Sequence, residues 1–143
     1  MKNVKKGFTL VELLFVMAII AILAGFAIAN LKDSTRVATE NSMKNDAKNA
    51  ITQQQTYFAG NQEYTDLAAA NGAWIDANNG MVTSTDGVKF TVSKGNVIET
   101  TGNIDCGDST VGFSVEITNA TLPNATTSYN SCTDGTIQNG ALV

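Results

Sequence analysis

The stretch GFTLVELLFVMAIIAILAGFAIANL, Gly7 to Leu31, decides the fold of this chain. Within it, Leu13 to Ala29 is a run of 17 residues without a charged or hydrogen-bonding side chain. A helix needs about 20 mostly apolar residues to cross the hydrocarbon core of a bilayer. The stretch is therefore predicted to be a membrane-spanning helix, and Glu12 is the one carboxylate inside it.

A short basic leader precedes the apolar stretch. Lys2, Lys5 and Lys6 lie before Phe8, and lysines beside an apolar helix tend to stay in the cytoplasm, which directs the rest of the chain outward. The string Ala27-Ile28-Ala29 belongs to the apolar run itself and no A-x-A site follows that run, so an ordinary secretory signal peptide is not expected. These features alone indicate a signal anchor with an outward-facing C-terminal part.

The string KKGFTLVE, which ends at Glu12, resembles the processing site of type IV pilins and the related pseudopilins. In that family a prepilin peptidase cuts after the glycine and methylates the new N-terminal phenylalanine. The resemblance implies a leader of residues 1–7, cleavage between Gly7 and Phe8, and N-methylphenylalanine at Phe8. It also implies that the subunit waits in the bacterial inner membrane until the pilus assembly platform adds it to a homo-oligomeric helical filament outside the cell.

The chemistry of Glu12 suggests a role in assembly. A carboxylate toward the centre of a membrane costs up to about 3 kcal/mol, so it requires a partner. The segment from Phe8 to Leu31 contains no Lys or Arg, and the nearby cation that cleavage would create is the α-ammonium group of Phe8. We expect Glu12 to pair with Phe8 of an adjacent subunit and to set the axial register. The alternative is a Glu12 side chain that reaches the lipid–water interface.

The apolar pattern continues beyond the membrane segment as an amphipathic one. Apolar residues recur at three- and four-residue steps as far as Phe58, no proline interrupts them, and Gly60 begins a stop signal. One helix of about 50 residues is predicted, with a transmembrane and assembly half (8–31) and an amphipathic continuation (32–60). Glycine costs about 1 kcal/mol inside a helix, so Gly25 is the expected weak point, and close packing against another helix is the alternative explanation of a glycine there.

Residues 61–143 are expected to form a globular β-sheet head. Alternation of apolar and polar residues indicates strands, and the first two are expected to form a hairpin. The expected strands are 88–92, 96–101, 111–117 and a short fourth at 129–132 or 136–138. Residues 119–126 read as a loop rich in Asn and Thr. An antiparallel sheet of three to four strands packed on the apolar face of the helix gives an α+β, pilin-like fold.

The two cysteines, Cys106 and Cys132, lie in the part predicted to be outside the cytoplasm. A disulfide between them is the natural expectation there, with two buried free thiols as the alternative. Asp105, Asp108 and Asp134 surround the cysteines and are candidate calcium ligands, since carboxylates in turns can bind Ca²⁺. Their spacing matches no defined ligand pattern, and Asp is also a turn former, so no metal is assigned.

Composition argues against several classes of function. The chain has no histidine, and after loss of the leader six Lys and Arg would stand against 13 Asp and Glu. An acidic exposed part repels phosphate backbones, so no direct nucleic-acid binding is predicted. The sequence contains no recognisable nucleophile with its base, metal triad or phosphate-binding loop. We therefore predict neither an enzyme nor a bound cofactor.

Three functions remain open on these grounds. The first is a structural subunit of a type IV pilus filament, assembled through its hydrophobic N-terminal helix. The alternative within the same family is a minor pilin or a type II secretion pseudopilin, which forms a short periplasmic filament. The third is a membrane-anchored ligand-binding domain, which predicts an aromatic-lined pocket and no filament.

Overall fold

The computed structural model describes residues 7–67, 75–76, 80–133 and 135–139. One long helix, α1 (Leu10–Asn61), is followed in these ranges by seven strands. The strands are β1 (Ile75–Asp76), β2 (Met81–Thr83), β3 (Lys89–Thr91), β4 (Asn96–Asp105), β5 (Val111–Asn119), β6 (Leu122–Asn130) and β7 (Gln138–Asn139). The chain divides into two compact units, one that ends at Val37 and one that begins at Ala38.

The first unit consists of the N-terminal part of α1 and the residues before it. Every large apolar side chain from Phe8 to Ile28 is exposed, Phe8 to 87%. A helix that is apolar on all faces is suited to an apolar surrounding rather than to water. By length and composition, α1 is able to cross a membrane. The prediction of one long helix with an apolar first half is confirmed.

The second unit has its core between α1 and a β-sheet. On the helix, Met43, Ala47, Ala50 and Gln54 recur at three- and four-residue steps and are all buried. This is the one-sided pattern that the amphipathic sequence predicts. The strands contribute alternate residues to the same apolar cluster, including Phe90, Ile98, Phe113, Val115 and Ile117, and Val92 joins it directly after β3. The α+β, pilin-like fold class is therefore confirmed.

The main sheet is antiparallel, with the strand order β1-β4-β5-β6-β7. Three long strands, β4, β5 and β6, form its centre, and the two-residue strands β1 and β7 extend its edges. Strands β2 and β3 form a separate two-stranded sheet. The short edge strands come in addition to the three to four strands predicted.

The predicted hairpin between 88–92 and 96–101 is wrong. β3 pairs with β2, whereas β4 pairs with β1 and β5. The reason lies in the connecting segment, where the backbone N–H and the hydroxyl of Ser93 donate hydrogen bonds to Asp46 of α1, at 2.8 and 2.9 Å. Because the helix holds Ser93, the chain leaves one sheet there and enters the other.

The predicted loop at 119–126 is also wrong over most of its length. Residues from Leu122 onward belong to β6, which pairs with β5. The inward side chains of β6 include Ala125 and Thr127, both buried. A small residue and a hydroxyl residue do not produce the apolar alternation that marks a half-buried strand, although threonine itself favours strands. The strand therefore resembles a polar loop in sequence.

Candidate processing and assembly site

The N-terminus of α1 is capped by reciprocal hydrogen bonds between Thr9 and Glu12. Thr9 precedes the first helical residue, and its backbone N–H and hydroxyl both donate to Oε2 of Glu12, at 2.9 Å each. In return, the backbone N–H of Glu12 donates to the Thr9 hydroxyl oxygen at 3.3 Å. This is a capping box, in which the residue before the helix and the third helical residue satisfy each other's free N–H groups.

The capping box gives Glu12 a partner within its own subunit. This partner was not predicted, although Thr-x-x-Glu immediately before an apolar run is the sequence signature of a capping box. Both described bonds to the carboxylate use Oε2, so Oε1 keeps its capacity to accept a further bond. The pairing of Glu12 with Phe8 of an adjacent subunit stays a prediction.

The predicted cleavage position lies directly before this capping box. Gly7, Phe8 and Thr9 are non-helical, and all three are exposed. A Cβ atom added to Gly7 would meet no atom within 4 Å, and Gly7 does not have the positive φ that favours glycine. Nothing in the described fold therefore requires glycine at position 7. The other leader residues, 1–6, lie outside the described residues.

The Cys106–Cys132 disulfide is formed, with 5.1 Å between the two Cα atoms. It links the chain just after β4 to the chain just after β6, across the beginning of β5. A Cβ atom on Gly112 of β5 would lie 2.5 Å from Sγ of Cys132 and 2.7 Å from Sγ of Cys106. The sulfur atoms thus occupy the space that a side chain would need, and the predicted pairing is confirmed.

The candidate calcium ligands act on their own turn in the described structure. Oδ1 of Asp105 accepts the N–H of Gly107 at 2.8 Å. Oδ1 of Asp108 accepts the N–H of Thr110 at 3.1 Å and also its hydroxyl. The hydroxyl and N–H of Thr110 hold the pKa of Asp108 below its ordinary value.

The third candidate, Asp134, lies outside the described residues. Within those residues, no group of three His, Cys, Asp or Glu side chains is placed to hold a metal ion. Asp105 and Asp108 are therefore described as turn-forming residues, whose carboxylates stabilise the segment from 105 to 110.

Comparison with known proteins finds the same N-terminal feature. Residues 2–28 match the family described as the prokaryotic N-terminal methylation motif. The chain is 43% identical over 70 residues to the type IV wide pilus major component PilA4 of Thermus thermophilus. The aligned region covers 49% of this chain and 53% of that relative. It is 38% identical over 63 residues to the type IV major pilin protein PilA of Myxococcus xanthus. This aligned region covers 44% of this chain and 29% of that relative. The chain thus spans about half the length of the first relative and less of the second, and no solved structure matches it.

Proposed function

We propose that this chain is a structural subunit of a type IV pilus filament. It carries the N-terminal methylation motif and is similar over about half its length to two type IV pilins. The observation that carries the proposal is the apolar half of α1, exposed on every face and joined to a folded second unit. Such a helix needs either lipid or other helices around it. A bundle of these helices would form the filament core.

We further propose that prepilin peptidase cuts the bond between Gly7 and Phe8 and that Phe8 becomes N-methylated. The exposure of both residues supports access to this bond. The capping box supports it as well, because Thr9 and Glu12 both lie on the C-terminal side of the cut. The helix therefore keeps its capped start after the leader is removed.

In this proposal, the subunit resides in the inner membrane before assembly and in an extracellular pilus afterwards. In the membrane, Glu12 is bonded to Thr9, and the first Lys or Arg on the C-terminal side of the cut is Lys32. Assembly would bring the ammonium group of a neighbour's Phe8 to the carboxylate. In the filament the two charges would neutralise each other, whereas an unpaired carboxylate in an apolar surrounding is costly, so the pair would favour the assembled state.

The direct test is isolation of surface filaments by shearing, followed by electron microscopy and N-terminal sequencing of the subunit. We expect fibres whose subunits begin with methylated Phe8. The same terminus found only in membranes would indicate the alternative, a minor pilin or a type II secretion pseudopilin in a short periplasmic filament. An uncut N-terminus would contradict processing altogether.

A further inference from the structure

The second unit has two chemically different ends, separated by the length of strand β4. β4 runs from Asn96 to Asp105, and nine steps of about 3.3 Å make roughly 30 Å. We call the end where β4 begins the base and the end where it finishes the tip. The base contains the turn before β4 and the turn between β5 and β6, and the tip contains the turn after β4.

The base is fixed to α1 by a buried polar network. Asp46 accepts hydrogen bonds from Ser93 and, at 2.5 Å, from the amide nitrogen of Asn96. The Asn96 nitrogen also donates to the Ser42 hydroxyl at 3.1 Å, and its oxygen accepts from Asn119 at 2.6 Å. A buried network with all its members bonded holds them in one arrangement. Both turns of the base are therefore held in place on the helix.

A groove of about 330 Å³ opens at this base. Its lining residues are Ala38, Thr39, Ser42, Lys94, Gly95, Asn119 and Thr121. Lys94 is the charged residue among them, and no carboxylate in the described part of the chain forms an ion pair with it. Asp46, the buried carboxylate of the network, already accepts three hydrogen bonds. The ammonium group of Lys94, which lies beside several hydroxyl groups, favours a ligand that carries a carboxylate.

The tip presents such carboxylates on an exposed turn. Asp105, Asp108 and every residue from 107 to 111 are exposed, and Val111 adds an apolar side chain that is 46% exposed. No Lys or Arg occurs from residue 95 to the end of the chain. The loop that follows α1 also lies at this end, since Oδ1 of Asp66 accepts the N–H of Gly102 at 2.6 Å. The tip is therefore uniformly acidic where the structure describes it.

We propose that the groove at the base of one subunit binds the Asp105–Thr110 turn of a second copy of this chain. The inference rests on the proposed filament function, because a helical polymer is built from contacts between two different patches of the same molecule. Lys94 meets the carboxylates of Asp105 and Asp108, and the Ser42 hydroxyl, which accepts a bond from Asn96 in the described network, donates a further hydrogen bond. The contact adds a specific register to the non-directional packing of the apolar helices.

A zero-length carbodiimide cross-link on intact sheared filaments tests the contact directly. The reagent joins a lysine ammonium group to a carboxylate with loss of water, and only when the two groups touch. We expect mass spectrometry to find Lys94 joined to Asp105 or Asp108. A separation of roughly 30 Å within one copy excludes that link inside a single subunit. Lys89, exposed on β3, provides the internal control and should not link to this turn.

Charge-neutral variants test the contribution of the contact to assembly. Asp105→Asn with Asp108→Asn keeps the oxygen atoms that cap the turn but removes both charges, and Lys94→Gln removes the opposite charge. We expect each set to lower filament yield roughly two- to fivefold, as removal of an exposed ion pair predicts. Lys89→Gln should leave the yield unchanged. High salt should reduce the wild-type yield and leave the neutral variants nearly unaffected.

Three results would overturn the inference. Normal filament yield in all variants without the Lys94 link would refute the contact and leave the proposed filament function intact. A link from Lys94 to Glu63 or Asp66 in place of the turn would assign the groove to a different segment. Absence of filaments from the wild-type chain would refute the proposed function, and the contact would fall with it. Equal amounts of disulfide-bonded subunit in the membranes of all variants exclude misfolding as the cause.

Discussion

At the scale of single residues, Thr9 and Glu12 combine a structural and an electrostatic role. The capping box satisfies N–H groups that would otherwise be exposed at the start of α1 in an apolar surrounding. The same carboxylate carries the negative charge proposed to meet Phe8 of a neighbour. Substitutions at positions 9 and 12 separate these two roles, because one side chain can lose its charge without losing its acceptor oxygen.

We predict that the charge of Glu12, rather than its capping bond, controls assembly. Glu12→Gln keeps an oxygen for Thr9 but leaves the neighbour's ammonium group without a counter-ion, which costs about 3–5 kcal/mol when buried. Glu12→Ala loses both interactions. Both variants should be processed and membrane-bound but should give little filament, whereas Thr9→Ala loses about 1 kcal/mol of capping and should still assemble. Immunoblots of sheared and membrane fractions measure the ratio. Normal filament yield from Glu12→Ala would contradict the electrostatic role.

A second residue-scale prediction concerns Gly102, where β4 meets the loop after α1. A Cβ atom there would lie 2.5 Å from the backbone oxygen of Tyr64, and backbone cannot yield as a side-chain tip can. We expect Gly102→Ala to lower the free energy of unfolding by about 1–3 kcal/mol. Gly60→Ala is the control, since nothing lies within 4 Å of its added Cβ. Thermal unfolding of the full chain in detergent, followed by near-ultraviolet circular dichroism, measures both. Equal unfolding temperatures would contradict the predicted clash.

At the scale of elements, the extent of α1 and the strands β4 and β5 follow from sequence pattern. The long helix needs only an unbroken apolar run, a one-sided continuation and a stop signal, and these features are local. The pairing of β3 and the start of β6 at Leu122 were not predictable in this way. β3 is separated from β4 by a bond between Ser93 and Asp46, 47 residues apart, and β6 buries Ala125 and Thr127 rather than large apolar side chains.

In the candidate site, too, features with a local sequence pattern were predictable and features that depend on distant contacts were not. The roles of Gly7, Phe8 and Glu12 are predictions from one continuous string, and the Cys106–Cys132 pair, which the structure contains, followed from the expected compartment. The capping box also has a local signature, Thr-x-x-Glu, although the partner predicted for Glu12 was a cation. Asp46 gave no such signal: a charged side chain on a helix is usually exposed, and the burial of this one is explained by three donors that come from another part of the chain.

We predict that Asp46 holds the α1–β4 connection. Asp46→Asn is nearly isosteric but places an NH₂ group among the donors of Ser93 and Asn96, so buried donors lose their acceptor. We expect a loss of about 2–3 kcal/mol in the free energy of unfolding. Glu63→Gln, an exposed carboxylate, should change it by less than about 0.5 kcal/mol. Chemical denaturation of the full chain in detergent compares the two. An unchanged midpoint for Asp46→Asn would show that the network contributes little.

At the scale of the whole molecule, charge is distributed unevenly. The described sheet carries Glu99 and Glu116 directly opposite each other on β4 and β5, and no Lys or Arg lies on either strand. Like charges in facing positions destabilise a strand pair. The tip adds further carboxylates, while Lys94 lies at the base. The fold therefore tolerates repulsion between Glu99 and Glu116. Such a surplus of carboxylates is consistent with the proposed contact between the acidic tip of one subunit and Lys94 of another.

The pH dependence of stability follows from this pair. Burial, and next the negative charge of Glu99, raise the pKa of Glu116 above its ordinary value. A raised pKa in the folded state means that the folded chain holds its proton more tightly than the unfolded chain. Its contribution is therefore fully present below the unfolded pKa and is lost as pH rises through the folded pKa. The protonation of Glu116 should therefore increase the free energy of unfolding as pH falls from neutral toward the ordinary pKa of glutamate.

Glu116→Gln should remove this dependence because it removes the titrating charge. We expect the variant to be more stable than wild type by about 0.2–1 kcal/mol at pH 7, the range for cross-strand pairs, and to lose that advantage near pH 4. Asp108, whose pKa is lowered, acts in the opposite direction, so the comparison must be made between variant and wild type at each pH. Unfolding temperatures of the full chain in detergent provide that comparison. A variant that is less stable than wild type at pH 7 would show that Glu116 makes a favourable contact which outweighs its repulsion from Glu99.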